Sequence, residues 1–104
     1  MNYRFLFWVV FFVSAVLFFA PIGVEERVGL GLDKVVHLAI FAGLFYLGDR
    51  GYRGDKGNRI KLIILLASYA VGVEFIQGSF IAHRSFDIWD MAAGWLGLFL
   101  ASLI

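Results

Sequence analysis

Toward the C-terminal end of this chain the spacing E-x-x-Q sets Glu74 three residues before Gln77. A second run, R-x-x-D-x-x-D, follows with Arg84, Asp87 and Asp90, preceded by His83. Upstream, Asp33, Lys34 and His37 form the spacing D-K-x-x-H. A guanidinium or ammonium in such a group can bind a phosphate or carboxylate, while carboxylates and an amide hydrogen-bond sugar hydroxyls or amides. The same parts could also serve acid–base chemistry, with Glu74 or Asp90 as general base and Arg84 stabilising a developing anion. These residues stand in a chain that is 62% hydrophobic, with a mean hydropathy of +0.86. Soluble domains use roughly 45–50% apolar residues. An ionised side chain at bilayer depth costs roughly 2.5–3.5 kcal/mol on insertion scales, so it persists where it is paired, neutralised or used.

Composition removes several chemistries. There is no cysteine, which excludes disulfides, thiolate metal sites and thiol nucleophiles. The net charge is +1, so no global field argues for nucleic acid. Ser79 and Ser85 show no nucleophile, base and orienter spacing. His37, His83, Glu74 and Asp90 are metal-competent residue types, but no H-E-x-x-H or similar ligand pair occurs. The sequence therefore assigns no catalytic residue, no cofactor and no metal site, and an enzyme is the less favoured reading.

The elements that must position these side chains are apolar segments of membrane-span length. Four are expected, over residues 5–24, 32–48, 60–82 and 87–104, giving an all-α, membrane-spanning four-helix bundle with short loops. Pro21 ends the first span, Asp33 occupies an N-cap position at the second, and Gly48 closes it. The first span lacks a signal-peptidase pattern and is expected to stay uncleaved. Between the second and third spans lie Arg50, Arg53, Lys56, Arg59 and Lys61, five of the nine basic residues. The positive-inside bias puts that loop, and with it both termini, on the cytoplasmic side. The ionisable groups of spans two to four then gather toward the outer face, Glu74 about 12 Å deep.

Arg84, on a short turn between antiparallel spans three and four, is the expected counter-ion for Glu74 and Asp90. His37 is expected to bond back to Asp33, one turn earlier. Small residues at Ala93, Gly97 and Ala101, and at Ala39 and Gly43, form rows suited to helix contact and to association with a second copy. Phe11, Phe12, Phe18 and Phe19 read as apolar bulk, and Phe80, Phe86 and Trp89 as interfacial aromatics.

In their order along residues 33–97, the motifs D-K-x-x-H, E-x-x-Q and R-x-x-D-x-x-D, with the glycine-containing last helix, resemble the VanZ-like family of small bacterial membrane proteins. The resemblance marks Asp33, Lys34, His37, Glu74, Gln77, Arg84, Asp87, Asp90 and Gly97. It implies an all-helical protein of the bacterial plasma membrane, and its namesake is associated with low-level resistance to glycopeptide antibiotics of the teicoplanin type. The chain departs from the family pattern at Gly94, where an Asn is usual, and at Ala82 and His83, where the turn commonly contains Pro.

The expectation for function is an outward-facing polar pocket formed by Asp33, Lys34, His37, Glu74, Gln77, Arg84, Asp87 and Asp90. Its ligand would be a membrane lipid, a lipid-linked cell-wall precursor or an amphiphilic glycopeptide. The alternatives are a structural module whose polar residues only clamp the helices, and a membrane-embedded enzyme using Glu74 and Asp90 on a lipid-linked substrate. A proton or solute path is disfavoured, because from Leu62 to Val73 only Ser68 and Tyr69 offer polar steps.

Overall fold

The computed structural model describes residues 2–19, 30–54, 57–80 and 88–104. They form four α-helices and, among the described residues, no strand: α1 (Tyr3–Phe19), α2 (Leu30–Gly51), α3 (Asn58–Phe80) and α4 (Ile88–Ser102). The helices alternate in direction. At one end, Arg4 Nε donates to the Gly51 carbonyl at 2.6 Å, Trp8 Nε1 to the Tyr52 hydroxyl at 2.9 Å, and Arg59 to the Ser102 carbonyl at 3.0 Å. The start of α1, the end of α2, the start of α3 and the end of α4 therefore meet at the basic connection. The polar residues at issue lie toward the opposite end.

Helix boundaries differ from the expected spans in an informative way. Gly48 does not close α2, which continues to Gly51. A side chain at Gly48 would come within 2.8 Å of Leu62 and 3.1 Å of Phe7, so this glycine lets α2 approach its neighbours. Asp49, Arg50, Arg59 and Lys61 consequently sit inside helices, where Asp49 accepts from Arg59 at 3.1 Å and lies 3.8 Å from Arg53. Asp33 lies in the first turn of α2, not at its N-cap, because helix has already begun at Leu30. The reversal at Gly54 and Gly57, both at positive φ, is where residues without a Cβ are needed.

Packing is also redistributed. α3 and α4 are in contact, as their short connection implied, but α4 makes its most extensive interface with α2. Gly97 is the reason, since a Cβ there would collide with the Leu38 carbonyl and lie 3.1 Å from the Ala42 nitrogen. Gly94 performs the same service against the Phe41 ring. Of the small-residue row expected on α2, Ala39 is exposed and a Cβ added at Gly43 would meet nothing within 4 Å, so Leu38 and Ala42 form the contact instead. The core is Phe7, Phe18, Phe41, Leu44, Phe45, Leu66 and Val73 with smaller neighbours.

The exterior of this bundle is apolar. Phe5, Phe12, Ile60, Ile64, Phe75, Phe80, Trp89 and Phe99 all present at least 60% of their surface. Among the described residues α3 is the one helix long and apolar enough to cross a membrane, while α1 and α4 are apolar but shorter. The bundle measures 42 × 23 × 22 Å along its principal axes.

Candidate functional site

At the end remote from the basic connection, four polar side chains from three helices are withdrawn from solvent: His37 on α2, Glu74 and Gln77 on α3, and Asp90 on α4. The i, i+3 spacing of Glu74 and Gln77 puts both on the buried face of α3, about 9 Å and 5 Å from its end at Phe80. His37 lies about 10 Å inside the start of α2, and Asp90 in the first turn of α4. The close α2–α4 approach at Gly97 brings His37 and Asp90 toward the Glu74 face.

His37 Nε2 faces Glu74 Oε1 at 3.2 Å, at ion-pair distance but off the line of a hydrogen bond. Lys34, one turn nearer the start of α2, places its ammonium 3.2 Å from Asp90 Oδ1. The carboxylate is 4% exposed and the lysine 34%, so the cation reaches from the buried acid toward the end of the bundle. Lys34 is thus a counter-ion at Asp90, a role the sequence reading gave to Arg84, which lies outside the described residues. A lysine one turn from a helix end has the length to do this. Gln77 Nε2 donates to the Phe18 carbonyl at 2.6 Å, fastening the last turn of α1 to α3.

His83, Arg84 and Asp87, the turn that carries them and the Asp33 side chain lie outside the described residues, so the expected His37–Asp33 bond is untested. Ser79 is exposed and so is not part of the buried cluster. Phe80 and Trp89, read as interfacial aromatics, are likewise exposed.

Phe18 was taken as apolar bulk and belongs to the site. It is 3% exposed, its ring stacks on the His37 imidazole with centroids 4.7 Å apart, and it also lies parallel to Phe41 at 6.0 Å. Nothing in the sequence distinguishes it from Phe12 or Phe19. Ser14 and Tyr69 were missed as well, their hydroxyls meeting at 2.8 Å beneath the cluster while Tyr69 stacks on Phe11 at 4.4 Å.

The arrangement also brings together what spacing kept apart. One ligand-competent atom each of His37, Glu74 and Asp90 lies within 4.8 Å of the others, all three side chains being buried. A motif scan could not find this group, since each member comes from a different helix.

No family model and no solved structure matches the chain. It is similar to an uncharacterized protein of Schizosaccharomyces pombe, with 32% identity over 103 residues that cover 95% of this chain. The chain spans 59% of the length of that relative.

Proposed function

We propose that this is an integral membrane protein of the VanZ-like kind whose buried polar cluster receives the anionic head group of an envelope amphiphile at the outer end of the bundle. The observation that carries the reading is Lys34: a partly exposed ammonium held by a buried carboxylate at the end of a bundle whose sides are apolar. An ammonium so placed can accept a phosphate or carboxylate without losing its anchor, and Glu74, Gln77 and Asp90 supply the groups that hydrogen-bond polar substituents. The apolar exterior and a long axis of 42 Å, close to the roughly 40–45 Å of a bilayer with its head groups, support membrane insertion. Both termini and the basic connection then face the cytoplasm of a plasma membrane.

Similarity to a fungal protein favours a head-group chemistry found in any membrane over one confined to a bacterial wall precursor or a glycopeptide. A second reading is favoured by the Gln77–Phe18 bond, a contact between helices that no ligand needs. In it the cluster only clamps the bundle.

Purification in mild detergent followed by mass spectrometry of co-purified lipids decides between them. The expected result is an anionic or polyprenyl-linked lipid that is lost in Lys34→Ala and in Arg84→Ala while both variants stay folded and abundant. An unchanged lipid complement in both would leave the clamp reading in possession. Full activity in a Glu74→Gln, Asp90→Asn double variant would remove carboxylate chemistry from the account.

A further inference from the structure

His37, Glu74 and Asp90 are the most deeply withdrawn ionisable groups of the cluster, at 2%, 0% and 3% exposure, and one atom of each lies within 4.8 Å of the others. We infer that they form a divalent-cation site, holding a transition ion of the Zn2+ or Co2+ class through one imidazole nitrogen and two carboxylate oxygens. A mixed nitrogen and oxygen donor set suits such ions, whereas Mg2+ and Ca2+ are served by oxygen alone.

The dimensions agree. An ion with bonds of about 2.0–2.2 Å to nitrogen and oxygen holds tetrahedrally placed donors about 3.4 Å apart. The His37–Glu74 pair already stands at 3.2 Å. No pair in the group exceeds 4.8 Å, a gap that small side-chain rotations close. The charge of the two carboxylates matches one divalent ion once the Lys34 ammonium, which balances Asp90 in the absence of metal, is displaced. The ring of His37 is held against Phe18, so it is oriented before any ion arrives.

Lys34 gives the site its signature. Its ammonium lies 3.2 Å from Asp90, so it and the ion draw on the same carboxylate and are in competition. Three protein donors leave a fourth position on a tetrahedral ion for an exogenous oxygen. Placing a head-group phosphate there rests on the reading above; binding of the ion does not.

The test uses full-length protein in detergent, stripped with a chelator and dialysed against Co2+ or Zn2+ alone. Expected are one Co2+ per chain with visible d–d absorption, and affinity lowered at least about tenfold in His37→Gln, Glu74→Gln and Asp90→Asn. Lys34→Gln should bind several-fold more tightly, an effect opposite to that of simple loss of structure. A ligand variant that fails to fold is replaced by a probe of the native set. The chain has two histidines, so in His83→Ala the His37 ring protons are assignable by NMR and should shift or broaden with one equivalent of Co2+. Absence of stoichiometric Co2+ in the unmutated protein, or an unmoved His37 signal, would overturn the site. Retained lipid without metal overturns this inference alone, and bound metal without lipid overturns the head-group reading alone.

Discussion

Gln77, a member of the polar cluster, is fastened to Phe18 by one short bond, 2.6 Å from amide to carbonyl. Removing the amide leaves that carbonyl without its donor in a buried place, which typically costs about 1–3 kcal/mol. Gln77→Leu, close in volume, is therefore expected to lower the thermal midpoint measured by circular dichroism in detergent, and Gln77→Glu should not restore it, because a carboxylate offers no N–H. An unchanged midpoint for Gln77→Leu would mean that the Gln77–Phe18 bond adds little to the other contacts that hold α1. His37 faces a different test. Its ring is packed on Phe18 and its Nε2 lies against Glu74, so His37→Ala removes a stacking partner and the neighbour of a buried acid together. Depriving a buried polar group of its neighbour typically costs about 1–3 kcal/mol, and the lost ring leaves a cavity besides, so expression of folded protein should fall more for His37→Ala than for Gln77→Leu. Equal yields of the two would show that His37 and Glu74 contribute little to stability.

Helix contacts explain why glycines separated by three residues behave differently. Gly94 and Gly97 each face something that a Cβ would strike, the Phe41 ring in one case and the Leu38 backbone in the other. A side chain can turn aside and a backbone carbonyl cannot, so Gly97→Val should be the more damaging, exceeding the usual 1–3 kcal/mol of overpacking. Separation of α2 from α4 would also draw Asp90 away from His37, and metal or lipid binding should fail in any Gly97→Val protein that survives. Gly43, with open space around it, is the control: Gly43→Ala is expected within about 0.5 kcal/mol of the parent protein. Thermal denaturation of Gly97→Val, Gly94→Val and Gly43→Ala side by side checks the ordering Gly97, Gly94, Gly43.

For the whole molecule, the alternating helices put the basic connection and both helical termini at one end and the buried cluster near the other. Because the chain has no cysteine, single cysteines report topology without background labelling. In sealed cells, Phe80→Cys is expected to react with an impermeant maleimide and Arg53→Cys to react only after permeabilisation, both positions being exposed. The reverse pattern would invert the bundle and place the cluster on the cytoplasmic side. Equal labelling of both in soluble lysate fractions would remove the membrane from the reading. At the basic end a cleft of about 540 Å³ is lined by Asp49, Tyr52, Arg53, Arg59 and Ile104 among others, a surface suited to anionic lipid by charge alone.

Much of this architecture is legible in the residues themselves. Apolar runs of span length, broken by glycine and charge, specify helices whatever their neighbours, because lipid or a core satisfies the same side chains and the backbone bonds close within each helix. The burial of Glu74, Gln77 and Asp90 follows from the same logic, for E-x-x-Q and the last Asp of R-x-x-D-x-x-D have nowhere polar to go on an apolar helix. Three things were not legible. Lys34 as the partner of Asp90, Phe18 as the support of His37, and the 4.8 Å spacing at which His37, Glu74 and Asp90 meet within the expected pocket all depend on which helix packs beside which. That choice is made by Gly97 against Leu38, a contact of backbone with backbone between residues 59 positions apart. Spacing along one helix records which residues share a face; only the assembled bundle decides which faces touch.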